Sequence, residues 1–218
     1  MKLKYLGHAC FLATAADGTK VLMDPYRSGA FGNAIRYGPI EETVDIVLTS
    51  HDHEDHGWVQ DLPGSPAVFK REGAREAKGI AIRGIAAFHD SSAGSQRGKN
   101  IIFCFTMDGV RICHCGDLGH VLSDEQAKEI GAVDVLLVPV GGFFTIDARG
   151  ADQVVQKLQP KITIPMHYKT SKANMPIALV DDFLKGKTNA RHHGSPEIEI
   201  TPETLPSEPQ IIVLPPFL

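Results

Sequence analysis

Three of the chain's ten histidines fall within six residues, His51-Asp52-His53-Glu54-Asp55-His56, and Gly57 follows them. Zn²⁺ takes neutral imidazole and carboxylate, and an ion that keeps a position open for water rarely uses more than three protein ligands. His51, His53, Asp55 and His56 therefore offer more than one catalytic ion can take. His51 and His53, two apart, can converge on one ion while Asp55 and His56 turn toward a second. A solvated, charged loop is the bland alternative, but histidine is scarce and the cluster directly follows the apolar run Asp45–Thr49.

Two ions need ligands from elsewhere in the chain. His89 ends the apolar run Ile85-Ala86-Ala87-Phe88. Asp117 follows Ile112-Cys113-His114-Cys115-Gly116, where the glycine lets the backbone turn sharply. His167 follows Ile162-Thr163-Ile164-Pro165-Met166. Each alone would be an ordinary loop residue. Their repeated placement after buried β runs is what a site along one sheet edge requires.

The elements that must position these residues can be read from apolar periodicity and turn residues. Strands are expected at Lys2–Leu6, Cys10–Ala13, Lys20–Met23, Asp45–Thr49, Ala67–Phe69, Ile80–Phe88, Ile101–Thr106, Val110–His114, Val133–Val138, Lys161–Ile164, Glu197–Ile200 and Gln210–Leu214. Asp17-Gly18 and Asp108-Gly109 are hairpin signals. Helices are expected from Ser123 to about Ile130, over Ala151–Leu158, and over Pro176–Leu184 before Lys185-Gly186. Tyr26 to Glu42 reads as a long Gly-rich connection and a candidate pocket wall. Consecutive strands and strand–helix alternation in both halves predict two packed sheets with helices outside, an α/β/β/α layering. The 218 residues fit one domain, 1–218.

Bulk properties narrow the function classes. The chain is 43% hydrophobic and 22% charged, an ordinary globular composition, with a net charge of −4. No global basic field draws in nucleic acid, so such a role would need a local patch. No run of eighteen apolar residues or signal peptide is present, which predicts no membrane role and a cytoplasmic location. Cys10, Cys104, Cys113 and Cys115 lie in apolar, strand-like stretches and read as buried free thiols. Strand alternation puts Cys113 and Cys115 on the face opposite His114, with no second Cys pair to complete a Cys₄ cage.

His51-x-His53-x-Asp55-His56-Gly57 resembles the signature of the metallo-β-lactamase superfamily, and Asp24, His89, Asp117 and His167 fall in the order of its remaining motifs. More narrowly, the chain resembles the short metal-dependent hydrolases related to ascorbate-phosphate lactonases and N-acyl-phosphatidylethanolamine phospholipase D. The runs that carry this are Leu6-Gly7-His8-Ala9, Met23-Asp24-Pro25, His114-Cys115-Gly116-Asp117, Pro139-Val140-Gly141-Gly142, Thr145-Ile146-Asp147-Ala148 and Met166-His167-Tyr168. The chain is shorter than either named relative. The resemblance implies the four-layer αββα sandwich of the superfamily. It also implies one metal held by His51, His53 and His89, a second by Asp55, His56 and His167, and Asp117 bridging the two. Asp24 would hydrogen-bond a ligand histidine, and His8 and Tyr168 would lie near the pocket. For His8, a buried hydrogen-bonded histidine and a substrate contact are both open.

Two divalent ions roughly 3.5–4 Å apart can share a water whose pKa falls from about 15.7 to about 7. The expected enzyme is thus a binuclear metal-dependent hydrolase using a bridging hydroxide, with Asp55 and Asp117 as its catalytic carboxylates. Zn is the default metal, with Mn or Fe open. Arg36-Tyr37, Ser91 to Lys99 and Lys169 to Lys172 could form a cationic rim for a small anionic or phosphorylated ester, lactone or phosphodiester. Scattered solvated side chains are the equal alternative. The expected partner is this small molecule, with homo-oligomerisation open. His192-His193 reads as a surface pair and Trp58 as packing beneath the metal loop. The competing readings are an iron-containing redox enzyme on the same ligands and a non-catalytic, metal-stabilised binding protein.

Overall fold

The computed structural model describes residues 1–218. Fourteen strands run in chain order as β1 (Lys2–Gly7), β2 (Cys10–Thr14), β3 (Lys20–Met23), β4 (Ile46–Leu48), β5 (Ala67–Phe69), β6 (Gly73–Ala77), β7 (Ile80–Phe88), β8 (Lys99–Met107), β9 (Val110–His114), β10 (Val135–Pro139), β11 (Ile162–Met166), β12 (Ala190–His192), β13 (Glu197–Glu199) and β14 (Gln210–Val213). The helical segments are α1 (Ala30–Asn33), α2 (Asp124–Ile130), α3 (Ala148–Leu158) and α4 (Val180–Leu184). A six-stranded sheet has the order β13-β1-β2-β3-β4-β5, and an eight-stranded sheet has the order β12-β14-β11-β10-β9-β8-β7-β6.

Side chains alternate across the six-stranded sheet, and this alternation builds the layers. Leu3, Tyr5, Phe11, Val21, Met23, Ile46 and Leu48 face the eight-stranded sheet in the main core. Leu12, Leu22 and Val47 face the other way, into a smaller cluster with Tyr26, Ile35, Tyr37, Ile40 and Val44. The outer layer on that side is thus the 26–44 connection, and α1 is a single turn within it whose Phe31 and Gly32 have positive φ. On the other side, β10 is buried along its whole length, because α3 lays Ala151, Val154 and Leu158 over the same core. The mixed α/β, two-sheet architecture is the αββα sandwich expected from the sequence.

Three details differ from the expected elements. α3 begins at Ala148 because the Asp147 side chain caps it, accepting from Gly150 N–H. α4 begins at Val180, since Ala178 is held in an extended pairing, donating to Gly141 O and accepting from Lys169 N–H. β6 and β12 are additional edge-region strands. α2 has the expected Ser123 cap, completed by Gln126 into a capping box.

The thiols are free, and Cys10, Cys113 and Cys115 are buried. Cys113 and Cys115 sit in the main core. Replacing either with alanine is expected to lower stability by about 1–2 kcal/mol through lost packing and to leave metal content unchanged. Denaturant unfolding beside elemental analysis checks this; loss of metal from either variant would show a thiol ligand. No helix is long and apolar enough to cross a membrane.

Candidate metal centre

Parallel pairing brings the chemistry to one edge. β3 and β4 run parallel with Met23 opposite Leu48, so Asp24 and Ser50 emerge together. β9, β10 and β11 are also parallel, and Asp117 and His167 leave β9 and β11 at the same edge. His51, His53, Asp55 and His56 follow β4, and His89 follows β7. Three site residues take left-handed backbone angles: His8 (φ 57°), Asp24 (φ 47°) and His167 (φ 51°). Such conformations cost on the order of 1–3 kcal/mol each and persist where surrounding structure imposes them. Here the turns re-aim side chains at the sheet edge, and His167 N–H donates to His8 O to lock two of them together.

Asp117 lies at the centre, with four imidazoles around its carboxylate. Its Oδ1 lies 3.1 Å from His56 Nε2 and 3.4 Å from His167 Nε2. Its Oδ2 lies 3.1 Å from His89 Nε2 and 4.0 Å from His51 Nε2. The two carboxylate oxygens thus face two separate groups of nitrogens. His51 Nε2 and His53 Nδ1 approach to 2.9 Å on the Oδ2 side. On the Oδ1 side, Asp55 Oδ2 lies 3.5 Å from His56 Nε2. All seven residues expected from the sequence are therefore brought together. Asp55, His56, His89, Asp117 and His167 are buried, whereas His53 is exposed.

Asp24 sets the orientation of both groups. It is fully buried, and its Oδ1 accepts from Ser50 N–H at 2.7 Å. Its Oδ2 meets His56 Nδ1 at 3.0 Å, His114 Nε2 at 2.8 Å and the Ser50 hydroxyl, which donates at 2.8 Å. Because the Ser50 proton goes to Asp24, Ser50 Oγ can only accept from His51 Nδ1, 3.0 Å away. In their neutral, ligating forms His51 and His56 thereby carry the proton on Nδ1 and leave Nε2 on the Asp117 side to take a cation. One carboxylate fixes a tautomer in each group.

The chain matches the β-lactamase superfamily domain over residues 2–167. It is 33% identical over 201 residues to a UPF0173 metal-dependent hydrolase of Carboxydothermus hydrogenoformans, covering 78% of this chain and 85% of that one. The chain belongs to this family of metal-dependent hydrolases. A crystal structure from Thermotoga maritima, assigned to the Zn-dependent hydrolases of the metallo-β-lactamase superfamily, is similar at 37% identity and a TM-score of 0.81, over 98% of this chain and 97% of that one. CmlA, a diiron β-hydroxylase from Streptomyces venezuelae, shares the fold alone at 16% identity and a TM-score of 0.53, over 76% of this chain and 44% of its own.

The family's dependence on metal agrees with the electrostatics of the site. No Lys or Arg lies within ion-pair distance of Asp24, Asp55 or Asp117; their partners are all histidines. Asp55 Oδ1, Asp117 Oδ1, His56 Nε2 and His167 Nε2 are buried without a hydrogen-bond partner. Lone pairs gathered this way in a dry site call for a cation. Burial, followed by the neighbouring His56 charge, pushes His51 down to about 3, and burial also pushes His167 down to about 3. Both are therefore neutral and able to ligate at physiological pH. Burial also opposes a charge on His56, but Asp117 and Asp55 outweigh it and hold that imidazole well above the usual range. A proton there neutralises what a metal ion would neutralise more completely.

Other expected residues have settled roles. His8 is buried behind Asp55, with its Nε2 2.9 Å from Asp55 Oδ2, so it holds that carboxylate and does not line the cavity. Tyr168 is buried, its hydroxyl donating to Leu214 O. Trp58 is half-buried, with Arg27 stacked 4.9 Å from its ring and its indole N–H donating to Asp61. His192 is exposed, and neither it nor His193 joins the centre. Of the expected cationic rim, Arg97 lines the cavity at the centre, whereas Arg36, Lys169 and Lys172 do not. Sequence reading missed Ser50, His114 and Asn100. Asn100 is buried and staples the turn before the centre, accepting from Asp117 N–H and donating to Cys115 O.

The opening of the centre is a cavity of about 420 Å³. Its polar floor is His53, Asp55, His89, Asp117 and His167, and its walls include Phe31, Phe144, Met175 and Pro176. Phe31 is 51% exposed at a positive φ, so the 26–44 connection does supply a pocket wall.

Proposed function

We propose that the chain is a binuclear metal hydrolase, with zinc the default metal, acting on a small anionic ester, lactone or phosphodiester. One observation carries this reading: Asp117 turns one oxygen to each of two nitrogen-rich groups, and no Lys or Arg pairs with it. His51, His53 and His89 would hold one ion, Asp55, His56 and His167 the other, and Asp117 both. Bound there, two divalent ions supply an acidified water at neutral pH and polarise the carbonyl or phosphoryl oxygen under attack.

The chain's own groups do the rest. His8 fixes Asp55 through Oδ2. Asp55 Oδ1, buried and unpartnered, is free to accept the proton released at the nucleophile. Phe31, Phe144, Met175 and Pro176 shed water from the mouth of the cavity and contact the apolar part of a substrate. The four free thiols support a reducing, cytoplasmic setting.

The test is a panel of chromogenic phosphodiester, lactone and thioester substrates, run on metal-loaded protein and again after chelation. Hydrolysis of at least one class is expected, abolished by chelator and restored by Zn²⁺. Restoration by iron alone, with a requirement for an electron donor, would point to redox chemistry. Metal-loaded protein inert across the panel would favour a binding protein.

A further inference from the structure

A second cleft, about 850 Å³ in volume, adjoins the metal centre on the His51 and His53 side. Lys70, Arg71 and Arg75 reach it from the β5–β6 region, and Arg97 and Lys99 from the segment before and into β8. Asp52 and Glu72 are its only acidic lining residues, and Asp52 is occupied by Lys70 at 3.3 Å. Arg71, Arg75, Arg97 and Lys99 have no carboxylate within ion-pair distance. Four unpaired cations and one unpaired carboxylate, Glu72, thus face one hollow, a local positive excess in a chain whose net charge is −4.

Arg75 lies on β6, an edge strand, and charge on an edge strand deters pairing with other chains. That role does not account for Arg97 and Lys99, which come from a different segment and converge on the same hollow. Arg97 is also firmly placed. Asp90 accepts four backbone N–H bonds, from Ser92, Gly94, Gln96 and Arg97, and so fixes the loop that carries it. Its guanidinium lies 5.7 Å from the Phe144 ring, and the residue lines both this cleft and the cavity over Asp117.

We infer that this cleft is an anion-binding subsite that holds an oxyanion-bearing arm of the substrate, phosphate or carboxylate, while the scissile group lies over Asp117. Arginine suits this because its planar fork pairs with such oxyanions bidentately. The inference rests on the hydrolase reading for the fate of the bound molecule. Its binding step is measured without turnover, so failure of hydrolysis and failure of the subsite are separate results.

The test is calorimetric titration of metal-loaded protein with inorganic phosphate and with succinate, at low and physiological salt. Wild-type protein is expected to bind at least one of them, less tightly as salt rises; the tighter of the two identifies the arm. Arg71→Ser with Arg75→Ser should weaken binding by about tenfold or more, since each loses a charge-assisted contact. Both arginines are exposed, so metal content and melting temperature should not change. Asp117→Ala should retain the binding. The subsite is overturned if neither anion binds, if the double variant binds like wild type, or if Asp117→Ala alone abolishes binding, because the anion then sits on the metals. Salt-sensitive binding of a short unphosphorylated oligonucleotide, lost in the double variant, would overturn the small-substrate reading in favour of nucleic acid.

Discussion

Asp117→Ala is expected to yield a folded protein that binds about one metal equivalent and loses most of its activity. A histidine serves one group, but Asp117 gives Oδ1 to the His56 and His167 side and Oδ2 to the His89 and His51 side. Two dications a few ångströms apart repel strongly in a partly dry site, and a shared carboxylate screens that repulsion. Without it, the site with Asp55, His56 and His167 should empty first. Three imidazoles can hold Zn²⁺ unaided, so the site with His51, His53 and His89 should persist longer. Loss of partners outside the ligand shell already costs roughly 10–100-fold, so a lost bridge should lower kcat by more than about a hundredfold. Asp117→Asn should keep more metal but remain slow, because a neutral amide cannot balance the charge. Paired metal titration and kinetics of the two variants check the order of loss; two metals at wild-type affinity in Asp117→Ala would rule out the bridge.

Asp24→Ala should be the most destabilising single change at the site. Asp24 is fully buried, receives Ser50 N–H and Oγ–H, and faces both His56 and His114. Burial opposes its charge, but His114 and His56 outweigh burial and hold its carboxyl well below the usual carboxylate range. Breaking a buried charged network by removing one partner costs roughly 3–5 kcal/mol. A carboxyl with a depressed pKa contributes stability above its unfolded value of about 3.9 and loses it only as pH falls through the folded value. The part of the Asp24→Ala deficit that comes from the carboxylate's own titration should therefore be fully present from pH 5 to 8 and shrink only in strong acid. Denaturant unfolding across that range measures it. Because Asp24 sets the Nδ1–H tautomer of His56 directly and of His51 through Ser50, affinity should fall at both metal sites, by roughly 10–100-fold. Loss confined to one site would show that the Ser50 relay does not act.

The clustered imidazoles and carboxylates were legible because they combine rare residue types with a repeated position, each just past an apolar β run. The carboxylate and imidazole that organise them were less visible. His114 ends β9 between two core cysteines, and nothing local marks it as reaching Asp24, ninety positions away in the chain. Ser50 looks like ordinary loop polarity until its hydroxyl is seen between His51 and Asp24. In the fold, β6 escaped notice because Gly73-Ala74-Arg75-Glu76-Ala77 is largely exposed and shows no apolar alternation; it is a strand only through pairing with β7. The basic cleft was hidden for the same reason. Arg97 and Lys99 could be read as near the site, but Arg71 and Arg75 join them only once β6 is laid against the sheet.

The central claim is two metals sharing Asp117, and the most direct test is elemental analysis of protein reconstituted with Zn²⁺ and desalted. The structure predicts about two equivalents per chain in wild type, falling to about one in Asp117→Ala, because two groups of ligands flank one carboxylate. One equivalent or none in the wild-type protein would contradict it.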